Sequence, residues 1–186
     1  MHPTRRVSGC LLLAFTLVAG LFLPDTFFAA TSPAAAPAAI RIKAGVTKPL
    51  TDETGVVWEA DRGFEGGETI ARPEIDVSNT NVMSVYRAER YSMTGFTQAL
   101  PNGKYLVKLH FAETFEGVTV KGERVFSFTV EGREFKDFDV TAKAGGVLRA
   151  HVESVPVEIK DGKLDITFTS KVENPQINAI EILPAR

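Results

Sequence analysis

Between residues 104 and 111 the apolar side chains fall on every second position. Tyr105, Val107, Leu109 and Phe111 share one face, and Leu106, Lys108 and His110 share the other. A period of two is what a strand half-buried on a core requires, and the turn sequence Pro101-Asn102-Gly103 precedes it. Phe126, Phe128 and Val130 alternate with Ser127 and Thr129, and Glu131-Gly132 then turns the chain into Arg133–Phe138, which predicts a hairpin. Residues 155–160 and 164–169 flank Asp161-Gly162, a pair that favours a second tight hairpin, with Leu164, Ile166 and Phe168 on its core face. Residues 176–183 predict a last strand. Upstream, residues 40–44, 56–59 and 85–91 read as strands separated by loops containing Gly and Pro, with Gly66-Gly67 and Gly145-Gly146 in turns. The chain shows no long amphipathic helix and no internal repeat. Many short strands without helical crossovers predict an all-β fold, an antiparallel β-sandwich or jelly roll.

The first residues follow another pattern. Arg5 and Arg6 precede an apolar run of about 15 residues at 9–23, followed by Pro24 and small residues around Ala29-Ala30. This predicts a cleavable signal peptide over residues 1–30 and a secreted, periplasmic or cell-surface location. The run is shorter than the ~20 residues that cross a bilayer, so no stable membrane insertion is expected after processing; an uncleaved signal anchor is the alternative. Arg5-Arg6 also fits a twin-arginine signal, whereas Cys10 lies ahead of the apolar run, which argues against lipid attachment. Residues 31–39, rich in Ala and Pro, read as a spacer, and residues 40–186 as a single domain. Cys10 is the only cysteine, so core burial rather than disulfides must hold that domain together.

A formal net charge of -2, with 21 basic residues scattered among 23 acidic ones, leaves no electrostatic footprint for nucleic acid. His110 and His151 are not spaced as metal ligands and read as structural or surface residues; no metal and no cofactor is expected. The sequence contains no G-x-S-x-G elbow for nucleophilic hydrolysis. Glu113, Glu116, Asp139 and Glu173 are the acids from which a glycosidase pair would be drawn; otherwise they are solvated loop acids or acceptors for sugar hydroxyls. A saccharide site wants an aromatic ring against the C–H face of a pyranose, with carboxylates and amides beside it. Tyr91, Phe115, Glu113, Glu173 and Asn174 are of those types and fall at predicted strand ends or loops. Tyr91 reads equally as a tyrosine at the core edge, and Phe115 as loop packing.

Val85-Tyr86-Arg87-Ala88-Glu89-Arg90-Tyr91 resembles the Tyr-x-x-Glu-Arg-Tyr segment of the malectin family. The likeness continues through residues 103–113, which end in Phe111-Ala112-Glu113, through 124–132 and 136–140, and through Gly162-Lys163-Leu164 and 173–180. It extends more loosely to residues 42–45 and Gly66-Gly67. The resemblance implies a jelly-roll-like sandwich, akin to galactose-binding domains, acting as a non-catalytic module that binds oligosaccharide or polysaccharide. Animal members of the family bind glucosylated glycans in the endoplasmic reticulum. By the resemblance, Tyr91 falls on a sugar-contacting tyrosine and Phe115 where animal members have another, so that ring stacking persists without the hydroxyl. Glu116 takes the place of a neighbouring Phe, Glu173 that of a binding Asp, and a further tyrosine near residues 68–72 has no aromatic counterpart. The implied carbohydrate-binding set is Tyr91, Glu113, Phe115, Glu116, Glu173 and Asn174. The rival reading is a structural or protein-interaction sandwich that has lost its sugar site and takes a protein partner.

Overall fold

The computed structural model describes Met1 and residues 37–185, so most of the expected signal peptide (2–30) and spacer (31–36) lie outside the described residues. The alternating segments form strands. In chain order these are β1 (Ile40–Lys43), β2 (Leu50–Thr51), β3 (Val57–Trp58), β4 (Phe64–Ala71), a 3-10 helix (Met83–Tyr86), β5 (Ala88–Ala99), β6 (Gly103–Ala112), β7 (Val125–Val130) and β8 (Arg133–Phe138). A short helix α1 (Val140–Ala144) follows, then β9 (Ala150–Ile159), β10 (Lys163–Val172), β11 (Gln176–Ile177) and β12 (Ala179–Pro184). No helix among the described residues is long and apolar enough to cross a membrane.

Besides a third, two-stranded sheet in which β2 and β3 pair, two antiparallel sheets form the sandwich. One has the order β1-β12-β6-β9; the other has β11-β5-β10-β7-β8, with β4 paired to β5. The odd positions of β6, Val107, Leu109 and Phe111, meet Phe126, Phe128 and Val130 of β7 and Leu164, Ile166 and Phe168 of β10 in one core. Phe111 lies 6.1, 5.9 and 5.0 Å from the rings of Phe126, Phe128 and Phe138, all at tilted angles. Such contacts add about 0.5–1.5 kcal/mol per pair beyond area burial, the kind of gain a cysteine-free domain needs. The opposite face of β6 is also covered: His110 and Ala112 pack under Trp58 and Tyr86. His110 is therefore buried, with Nδ1 3.0 Å from the Tyr86 hydroxyl and Nε2 3.0 Å from Glu181.

Glu131 and Gly132 both take positive φ, 49° and 73°, and join β7 to β8 as the two-residue hairpin expected of them. Elsewhere the structure corrects the expectation. Asp161-Gly162 makes no hairpin, because β9 pairs with β6 in one sheet and β10 with β5 and β7 in the other; the turn carries the chain across the sandwich. Residues 176–183 are two strands rather than one. The chain changes sheet at Asn178, whose buried amide accepts from Ala112 N at 2.7 Å and donates to Ala88 O at 2.9 Å. Residues 85–91 begin as the 3-10 helix and become β5 only at Ala88. Gly66-Gly67 is no turn but lies inside β4, a strand the sequence pattern did not suggest, just after a register shift between Glu65 and Gly66. Gly145, at φ 76°, caps α1 instead of forming a free-standing turn.

Candidate functional site

β4 and β5 bring the first site residues together. Glu89 and Tyr91 are two apart on β5 and so share a face, with Ile70 and Glu68 as their cross-strand partners. Gly67 lets the two strands close just past the register shift between Glu65 and Gly66: it has φ +76°, and a Cβ there would sit 2.4 Å from the Tyr91 carbonyl oxygen. The loop after β6 contributes Phe115 and Arg124, and the loop between β10 and β11 contributes Glu173 and Asn174. With Ile70 and Arg72 these side chains line a cleft of about 240 Å³.

Two ion pairs stiffen it. Arg72 Nη1 lies 3.0 Å from Glu89 Oε1 and 3.1 Å from the Thr114 hydroxyl oxygen, while that hydroxyl donates to Glu89 Oε2 at 2.7 Å. Arg124 Nε donates to Glu113 Oε2 at 2.6 Å, with 4% and 0% of the two side chains exposed. The Phe115 amide donates to the other Glu113 oxygen at 3.0 Å, and Arg124 Nη1 to the Asn174 carbonyl. Burial pushes the Glu113 carboxyl above its ordinary range despite the Arg124 guanidinium beside it. The same guanidinium lies over the Phe115 ring, 5.9 Å from its centroid, a cation–π contact. At the mouth, the Tyr91 hydroxyl donates to Glu68 Oε2 at 2.8 Å, and that bond raises its pKa above the ordinary tyrosine value.

Of the residues expected from sequence, Tyr91, Phe115, Glu173 and Asn174 line the cleft. Glu113 is not among the lining side chains; it is buried, with both oxygens engaged by Arg124 and the Phe115 amide, which holds the loop that carries Phe115. Glu116 is exposed but does not belong to the lining. Asp139 caps α1 through Ala142 N and accepts from Gly122 N at 2.7 Å, away from the cleft. Sequence reasoning missed Ile70, Arg72, Glu89 and Arg124. Glu89 was visible in the Tyr-x-x-Glu-Arg-Tyr segment, two positions before Tyr91; Arg124 meets Glu113 across 11 residues of loop and left no periodic signal. Among the described residues no three His, Cys, Asp or Glu side chains converge as a metal-ligand set.

An aromatic wall, carboxylate and amide acceptors and paired guanidiniums make a cleft suited to a polar, hydroxyl-rich ligand. The malectin domain family model matches residues 38–180. The chain belongs to the malectin family. Its malectin domain is 33% identical over 125 residues to a probable LRR receptor-like serine/threonine-protein kinase from Arabidopsis thaliana, covering 59% of this chain and 13% of that protein. It is 32% identical over 124 residues to Malectin-B from Xenopus laevis, covering 57% of this chain and 44% of that protein. The chain thus spans less than half the length of these curated relatives. A β-glucuronidase from Bacteroides uniformis superposes with a TM-score of 0.72 at 18% identity, over 80% of this chain and 18% of that one. The plant receptor structure containing the peptide RALF23 with FER and LLG2 gives 0.67 at 18% identity, over 78% and 48%. At such identities the likeness establishes the fold, an antiparallel β-sandwich.

Proposed function

We propose that this malectin domain is a non-catalytic saccharide-binding module and that the cleft between Tyr91 and Phe115 is its binding site. The observation that carries the reading is convergence: two aromatic rings, a carboxylate and an amide from three separate chain segments line one small cleft. Tyr91 and Phe115 pack against the apolar face of a pyranose, while Glu173 and Asn174 take its hydroxyls. Glu89 and Glu113 are each tied to an arginine, which leaves neither free to serve as the proton donor of a glycosidase pair. So shallow a site supports a dissociation constant on the order of micromolar to millimolar. The module works outside the cytosol, secreted, periplasmic or at the cell surface, with residues 1–30 as its signal peptide, 31–39 as spacer and 40–186 as the binding domain.

A glycan array on the full chain beside Tyr91→Ala tests this. Binding to glucose-containing oligosaccharides that disappears in the variant supports the reading, and a soaked structure with the glycan elsewhere overturns the site. The second reading, a protein-interaction sandwich, is favoured by the missing aromatic at 68–72 and by the exposed apolar surface of Ile70 and Phe115. A relative of this fold is known in complex with a peptide. An empty array together with one defined protein partner would decide for it.

A further inference from the structure

We infer that Glu68 is a positioning and specificity-determining residue of the cleft: it fixes the Tyr91 ring and occupies its hydroxyl proton, so that Tyr91 accepts from neutral sugars while acidic ones are turned away. The inference rests on the saccharide-binding reading.

Its ground is the local geometry of β4 and β5. The register shift between Glu65 and Gly66 sets Glu68 directly opposite Tyr91, the closest relation two side chains on neighbouring strands can have. Glu68 Oε2 then lies 2.8 Å from the Tyr91 hydroxyl. A carboxylate only accepts, so the phenol must donate to it, and a phenol has a single proton to give. Toward the cleft the Tyr91 oxygen is left with lone pairs alone, and a ligand hydroxyl must supply the proton. The same bond restrains the half-buried Tyr91 ring, which lowers the ordering cost on binding.

Charge points the same way. Arg72 and Arg124 are already matched by Glu89 and Glu113. Two carboxylates remain near the mouth, Glu68 and Glu173, the latter 3.9 Å from Arg124 with 45% of its side chain exposed. A uronate entering this cleft meets surplus negative charge, and like charges brought together oppose binding.

The experiment combines calorimetric titration of the full chain with ring-13C NMR titration of its three tyrosines, Tyr86, Tyr91 and Tyr105. The ligands are a neutral gluco-oligosaccharide and an oligouronate of equal length, and the variants are Glu68→Ala, Glu68→Gln, Tyr91→Phe and Glu68→Ala/Tyr91→Phe. Glu68→Ala is expected to weaken the neutral sugar by about two- to tenfold, the range of one hydrogen bond. In the Tyr91→Phe background the same change is expected to cost nothing. Glu68→Gln keeps an acceptor for the hydroxyl but loses the charge; it is expected to retain neutral-sugar affinity and to narrow the discrimination against the uronate by about a few-fold. Tyr91 is expected to ionise at lower pH in Glu68→Ala than in the wild type. An unmoved Tyr91 titration, or an equal cost of Glu68→Ala in both backgrounds, overturns the inference. If the wild type binds no saccharide while the Tyr91 titration still moves, it is the saccharide reading that has failed, and the role assigned to Glu68 falls with it.

Discussion

A carboxylate with none of its side chain exposed needs a cation against it, and Glu113 has Arg124 at 2.6 Å. Removing the guanidinium would leave a buried charge with one backbone amide for company. Arg124→Ala is therefore expected to lower stability by about 3–5 kcal/mol in urea unfolding, whereas an apolar replacement of both partners, Glu113→Leu/Arg124→Met, should cost much less. A loss below about 1 kcal/mol for the single variant would contradict the pairing. The types of the site residues were legible at this scale: Tyr91, Phe115, Glu173 and Asn174 are what a sugar cleft wants, and all four line the one cleft described above. Burial was not. Glu113 has the same chemistry as Glu173, and only the folded chain shows that one is enclosed beside Arg124 while the other lies 45% exposed at the mouth.

Strand β4 shows what the hydrophobic pattern cannot reach. All but the first of its eight residues are exposed, so no alternation marks it; its pairing with β5 comes from tertiary context. Gly66-Gly67 looked like a turn because glycine pairs usually are turns, yet here they bend a strand. Asp161-Gly162 misled in the opposite direction: the dipeptide favours a tight turn, but sequence carries no information on which sheet receives the next strand. Where the local signal and the pairing agreed, as at Glu131-Gly132, the hairpin formed as read. Gly67→Ala is expected to destabilise the domain by at least about 1 kcal/mol, since an added Cβ meets the Tyr91 carbonyl in a backbone region L-residues avoid. Because β4 carries Glu68 and Ile70, the same variant should weaken saccharide binding. Thermal unfolding and calorimetry measure the two effects, and a variant as stable as the wild type would contradict this account of the register shift.

On the scale of the molecule, the sandwich is tied to its outer cover through one polar chain. Arg41 of β1 donates to Glu181 of β12, whose other oxygen meets His110 of β6, which in turn meets Tyr86 of the 3-10 helix. Burial alone would push the Glu181 carboxyl up, but His110, the nearby Lys108 charge and the bond from Arg41 together outweigh it and hold the group below its ordinary 4.5. A carboxyl lowered on folding adds stability above its ordinary value and loses that contribution as pH falls through the folded value. The urea midpoint is expected to drop as pH falls below about 4.5, and Glu181→Gln should blunt that drop. A variant with the same acid limb as the wild type would place the titrating group elsewhere.

The claim that holds these scales together is that the cleft walled by Tyr91 and Phe115 takes a sugar. Calorimetric titration of the wild type and Tyr91→Ala with gluco-oligosaccharides tests it most directly. The account predicts saturable binding in the micromolar to millimolar range, on the order expected for so small a site, and its loss in the variant. Equal binding by both proteins would move the site elsewhere, and no heat of binding from either would leave a malectin sandwich whose ligand is not a sugar.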